Sequence, residues 1–372
     1  MSQKIQHTPL PVVKVSGDYT TCGKLAGQLS SARVSHSLET YKRTFELCNI
    51  SWPDAIKKAS THTGVIRKYT PHLLDELHGL SSGSGVQPDS LLALNCRTEI
   101  LPPDFLKHAM GSDGVDNPAA NTHTNECTSL AIAREDSPVW LAQNWDWVGL
   151  QREGLIVLHA APNNAPAYIT VTEAGMLAKI GINDHGFGVS LNILRSNNDG
   201  QTEGMPVHFL LRALLECRTV DEACEFALQL PYASSSNIMI ADKSGKIASL
   251  EISPAGCKIL SPTSGQLCHT NHFIDQEFSA SDAGIVDNTS TVNRLETAQQ
   301  HLSSIKNFTD IKKLLSDTSD GLESICRFAD RSLPDIAQVE TVAAVAMNLT
   351  ENTLWVSAAQ PSITDFTEHR LN

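Results

Sequence analysis

Cys127 stands at a junction in the chain. From Pro102 to Asn125 the sequence carries GSDG, NPAAN and THTN and little apolar content, the composition of an exposed linker. CTSLAIA (127–133) follows at once and has the pattern of a strand. A cut after Glu126 would make Cys127 the first residue of that strand. One residue would then hold a thiol and an α-amine, and an adjacent amine can activate a thiol by taking its proton. The same position also suits a structural cysteine at a strand start.

Three more residues bear on this chemistry. Asp146 lies within VWLAQNWDW (139–147), a second strand pattern joined to the first by the turn signal REDSP. Hairpin pairing would bring Asp146 close to Cys127, where a carboxylate would orient a new α-amino group and favour its charged form. An aspartate beside an aromatic is equally an ordinary solvated residue. Asn192 interrupts the apolar VSLNIL, so its amide is either a structural bridge or an oxyanion donor. Asn271, in CHTNHF at the end of a strand pattern, carries the same two readings.

Other chemistries find little support. Cys268, His269 and His272 form a C-H-x-x-H run without a paired C-x-x-C, so no metal is expected. The glycines of GLSSGSG (79–85) follow no strand and precede no Lys-Ser/Thr, which argues against nucleotide binding by a phosphate loop. No G-x-S-x-G elbow is present, and no cofactor is expected. A net charge of −13 disfavours nucleic acid and anionic membrane as partners. No apolar run reaches the length of a membrane span, and the N-terminal apolar stretch is too short for a signal peptide. Nine irregularly spaced cysteines suit reduced thiols, hence a cytoplasmic location.

The elements that would position these residues form two blocks. Asp18 is a helix N-cap, and helical spacing runs from there to about Leu47. Pro53 opens a second helix to Tyr69, Pro71 a third ending in SSGSG, and Pro88 a fourth to Ile100. Beyond the linker, strand patterns follow in quick succession up to GFGVSLNIL. Helices are predicted at Pro206–Cys217 and Val220–Leu230, and paired strands over 237–253. Further helices cover Thr291–Leu302 and Ile311–Leu315, and ETVAAVAMNL with NTLWVSAA closes the chain as a hairpin. Hairpins without strand–helix alternation predict antiparallel sheets covered by helices, an α+β architecture.

The ordered segments ECTSLAI, AQNWDW, GINDHGFGVSLN, SSSNIMIADKSGKIASLE, HTNHF, STVNRLE and TVAAVAMNLTENTLWV, preceded by HGLSSGSGVQPDSLLALNCRTEI, together resemble a known family. It is the acyl-CoA:6-aminopenicillanic acid (isopenicillin N) acyltransferases with their β-alanyl-dopamine hydrolase relatives, which are N-terminal-nucleophile hydrolases. The resemblance implies a four-layer αββα sandwich and an inactive precursor that cuts itself before Cys127. Residues 1–126 would become a helical small subunit, with the linker at about 102–125, and 127–372 the catalytic large subunit, the two staying associated. Cys127 matches the nucleophile, Asp146 the aspartate near the free amine, and Asn192 and Asn271 the oxyanion and positioning asparagines. Arg294 matches an S-x-x-R arginine, and Gln143 and Asn144 line the same hairpin as Asp146. Glu126 stands where some relatives carry glycine, the residue most tolerant of a strained backbone, which implies a slower cut. The implied activity is hydrolysis of a small-molecule N-acyl amide through a thioester on Cys127. The alternatives are acyl transfer to an amine and a non-catalytic, uncut binding protein.

Overall fold

The computed structural model describes residues 8–102, 105, 127–285 and 289–371. Most of the linker, and Glu126 with it, lies outside the described residues.

The N-terminal segment, expected to be helical, also contains a strand. Val13 and Val15 are buried between outward Val12, Lys14 and Ser16, and this period-two pattern forms strand β1 (Val12–Gly17). Helix α1 (Tyr19–Leu29) starts at Asp18, whose carboxylate accepts the Thr21 N–H at 2.7 Å. The long first helix is in fact two. The Ser30 hydroxyl donates to Ala26 O at 2.6 Å, and α2 (Ser31–Leu47) begins in a new direction. A second break at His62 divides α3 (Trp52–Thr61) from α4 (Thr63–Tyr69). Helix α5 (Pro71–Ser84) ends on Gly85 at φ 75°, a left-handed cap. Helices α6 (Pro88–Asn95) and α7 (Arg97–Ile100) divide the fourth predicted helix at Cys96.

The GLSSGSG glycines serve helix packing. A Cβ on Gly79 would fall 2.1 Å from Thr20 O, and one on Gly83 1.9 Å from Lys24 O. Gly23 and Gly27 of α1 face α5 in the same way, at 2.0 Å from Glu76 O and 2.4 Å from Leu80 O. The two backbones touch, which only glycine permits.

Two sheets follow. The first runs in the order β1, β4 (Leu155–Pro162), β5 (Tyr168–Glu173), β6 (Ile180–Asn183), β7 (Phe187–Ile193), β8 (Ser236–Asp242), β9 (Ile247–Ser253), β10 (Gly256–Leu260). The second runs β11 (Gln266–His269), β2 (Cys127–Ile132), β3 (Trp140–Val148), β12 (Val339–Asn348), β13 (Thr353–Ser357), β14 (Phe366–Arg370). Every pairing is antiparallel except β1 with β4. Strands β10 and β14 fall in stretches to which the sequence reading assigned no element.

The sheets pack face to face. A Cβ on Gly188 of β7 would lie 3.1 Å from Leu141 of β3. On the outer face of the six-stranded sheet, Leu130, Ile132, Trp140, Ala142, Ala344 and Ala346 pack against α11 (Thr289–Leu302) and α12 (Phe308–Leu315). On the outer face of the eight-stranded sheet lie the N-terminal helices with α8 (Val207–Leu214) and α9 (Val220–Ala227), and the short α10 (Gln276–Ser279) follows β11 in the chain. The layer order is αββα, as the resemblance implied. No helix among the described residues is long and apolar enough to cross a membrane.

Candidate active site

Cys127 opens β2, a central strand of the six-stranded sheet, and is 5% exposed. Alternation along β2 sends Cys127, Ser129 and Ala131 toward the other sheet, while Leu130 and Ile132 face α11 and α12. The register pairs Cys127 with Trp145, Thr128 with Asn144 and Ser129 with Gln143.

Both backbone groups of Cys127 are held by side chains. Its N–H donates to Asn271 Oδ1 at 2.6 Å. Its carbonyl accepts from Asn192 Nδ2 at 3.0 Å and from Arg294 Nη1 at 2.8 Å. Arg294 also reaches Thr128 Oγ1 at 3.0 Å, Asn271 Oδ1 at 3.2 Å and Ser290 Oγ at 3.1 Å. Asn271 arrives from the turn after β11, and Arg294 from α11, both side chains buried. Three of the sequence candidates therefore meet at one residue.

Asn192 is fully engaged. Its two amide hydrogens go to Cys127 O and to His269 O at 3.3 Å, and its oxygen accepts from Ser129 Oγ at 2.6 Å and Asn237 Nδ2 at 3.2 Å. It bridges strands, and its side-chain amide has no N–H left for an oxyanion. Asn271 commits one amide hydrogen to Ile193 O at 2.9 Å, and the other has no partner among the described residues.

Asp146 lies one residue past the direct partner of Cys127, so its side chain takes the opposite face of the sheet. Its Oδ1 accepts from Thr341 Oγ1 at 2.6 Å, and Oδ2 has no hydrogen-bond partner among the described residues. The backbone oxygen of Asp146 is 4.0 Å from Cys127 Sγ. Burial pushes the Asp146 carboxyl up to about 7, against the pull of Thr341 and Arg294. Burial, then the charge of Asp146, raises the Cys127 thiol to about 11.

Gln143 clasps Leu191 of the facing sheet, donating to its carbonyl and accepting its N–H at 2.9 Å. Asn144 turns outward and donates to Leu315 O and Ile325 O, both at 2.8 Å. Gln143 thus joins the sheets, and Asn144 anchors α12 and the chain beyond it. In the C-H-x-x-H run, His269 Nε2 lies 2.7 Å from Glu251 Oε1, and His272 Nδ1 lies 2.9 Å from Thr291 Oγ1. Glu251 also accepts the N–H groups of Ile274 and Asp275, at 2.6 and 3.0 Å, which fixes the turn bearing Asn271.

A buried charged cluster went unread in the sequence. Lys179 Nζ sits 3.6 Å from the centre of the Trp145 ring and 3.5 Å from Glu173 Oε2. Arg97 shares that carboxylate at 3.5 Å and covers Trp147, while Tyr41 donates to Glu173 Oε1 at 2.5 Å. The only sequence signal was charge inside apolar stretches such as LAKIGIN.

Fold and site together define a cysteine-centred αββα sandwich. The chain belongs to the acyl-coenzyme A:6-aminopenicillanic acid acyl-transferase family, whose sequence profile matches residues 132–362. It is 28% identical over 209 residues to the 40 kDa form of the acyl-coenzyme A:6-aminopenicillanic-acid-acyltransferase of Emericella nidulans. That match covers 56% of this chain and 54% of the relative, so the chain spans about half the length of that protein. Similar solved structures include a mutant of the conjugated bile acid hydrolase from Clostridium perfringens, at 14% identity and TM-score 0.42, covering 66% of this chain and 97% of that one. Penicillin V acylase from Agrobacterium tumefaciens is similar at 16% identity and TM-score 0.37, covering 63% and 83%.

Proposed function

We propose that the chain is the precursor of an N-terminal-cysteine amidohydrolase that cuts itself between Glu126 and Cys127. The observation that carries this reading is the grip on Cys127, whose N–H and carbonyl are fixed by Asn271, Asn192 and Arg294. Such a grip suits a residue whose nitrogen and sulfur must both be placed for chemistry.

In the first step the Cys127 sulfur attacks the Glu126 carbonyl carbon. The C–N bond breaks, the nitrogen takes a proton, and residues 1–126 hang on sulfur as a thioester. Water releases them and leaves a free α-amine. Such an amine has a pKa of about 7.7–8.0, so near neutral pH a sizeable fraction is free to accept the thiol proton. The thiolate then attacks a small-molecule amide, the leaving amine takes a proton, and the acyl group rests on Cys127. The amide hydrogen of Asn271 that has no partner among the described residues is the asparagine donor we assign to the oxyanion. Water completes hydrolysis.

The family match favours a second reading, in which an amine instead of water takes the acyl group. Incubating the enzyme with N-acyl amines, with and without an added amine, and weighing the products separates the two. The cut itself is tested on a denaturing gel with N-terminal sequencing. Wild type should give two fragments, one beginning at Cys127, and Cys127→Ala one inactive full-length band. An intact, active wild-type chain would sink the proposal, and an intact inactive one would point to a binding protein.

A further inference from the structure

The first cut occurs before any α-amine exists, yet the thiol must still lose its proton. The groups around Cys127 include one further amine, that of Lys179, 3% exposed at the entry to β6. It lies over the ring of Trp145, and Trp145 is the direct cross-strand partner of Cys127 on the face that looks into the sandwich. Lys179 and Cys127 are within electrostatic reach of each other.

Resting on the cysteine reading above, we propose that Lys179 is the proton acceptor for the Cys127 thiol in the uncut chain. The proton passes from Sγ to Nζ across one water, as sulfur bonds to the Glu126 carbonyl carbon. When the C–N bond breaks, the proton returns to the departing nitrogen, and Lys179 is again neutral. No other reactant is consumed. The new α-amine then takes over the task, and Lys179 is no longer needed.

The surroundings keep this amine poised. Burial lowers Lys179 to about 7, with Glu173 and Cys127 raising it and Arg97 lowering it. The charged and titratable groups around it are Glu173 of β5, Arg97 of α7, Cys127 of β2 and His208 of α8, with Tyr41 of α2 acting through Glu173. Strand β3 contributes the rings of Trp145 and Trp147. An acceptor with a pKa near the working pH is the efficient kind.

The test follows the cut in full-length chain made by cell-free translation at pH 6 and shifted to buffers from pH 5.5 to 9. The wild-type rate should rise through pH 7 and then level. Lys179→Met should lose that rise and slow by about 10²-fold, the low end of general-base assistance. Lys179→Arg keeps the charge but cannot accept a proton, so it should not restore the rise. Thermal melts confirm that each variant is folded, and a folded Arg variant suffices if Met does not fold. A wild-type rate profile in either folded variant overturns the proposal. Iodoacetamide labelling of Cys127 in the intact chain, read by mass, reports the same proton transfer without any cleavage. The two readings therefore fail separately: an uncut wild type sinks the first, and a labelling profile indifferent to Lys179 sinks the second.

Discussion

Asn271 Oδ1 accepts the Cys127 N–H at 2.6 Å and Arg294 Nη2 at 3.2 Å. One carboxamide oxygen thus ties the Cys127 nitrogen to a buried guanidinium. The side-chain acceptor for the Cys127 N–H is this oxygen and not the carboxylate of Asp146, which lies on the far face of its strand. A charged amine formed here would meet an uncharged acceptor, which keeps its proton loosely held.

Asn271→Ala removes the acceptor from both donors. Leaving a buried donor unpaired costs about 1–3 kcal/mol. The urea midpoint should fall accordingly, and the Cys127-terminated fragment should appear more slowly on a gel. Cleavage at the wild-type rate would show that the grip on the nitrogen is dispensable.

Asn192→Ala should act through the structure first. It strips partners from Ser129, Asn237 and two carbonyls at once, so a loss at or above the same ~1–3 kcal/mol is expected. Melting curves should show the damage in chains that carry Cys127→Ala as well. A stable, cleaved variant with only kcat reduced would instead support a direct oxyanion role.

Asp146→Asn should change the pH dependence of stability. The folded pKa of about 7 lies above the unfolded value near 3.8, so the stabilisation is complete below pH 3.8 and is lost as pH rises through 7. Wild type should lose up to about 1.4 kcal/mol per pH unit across that window relative to the amide variant. Denaturant midpoints at pH 4.5, 5.5 and 6.5 check this, and parallel curves would refute it.

Gly79→Ala forces a methyl group against Thr20 O. Overpacking of this kind costs about 1–3 kcal/mol or more when backbone is the obstacle. The thermal midpoint should drop by several degrees with Cys127 chemistry unaltered in the folded fraction. An unchanged midpoint would mean that α1 and α5 can part cheaply.

Much of this architecture is legible in the sequence because its signals are local. The hairpin of β2 and β3 follows from two apolar runs and a turn, and it delivers the Cys127–Trp145 register. The face of Asp146 follows from the same alternation once that register is known. Breaks at Ser30, His62 and Cys96 do not, since apolar spacing continues across them. The role of the glycines in α5 depends on a helix some sixty residues earlier, and Lys179 gains its meaning only from Glu173, Arg97 and Trp145 around it. Strand β1 was short enough to pass unread, although Val13 and Val15 show its period.

That strand has a mechanical consequence. Residues 12–17 run along the edge of a sheet otherwise built from the other side of the linker. Buried pairs such as Arg212 with Glu76 and Tyr41 with Glu173 rivet the same seam. A chain severed anywhere between 103 and 126 should therefore migrate as one particle through a sizing column and come apart only in denaturant. A nick placed directly before Cys127 would change what the molecule can react with while leaving its outline untouched, as a lock changes state without the door being rehung.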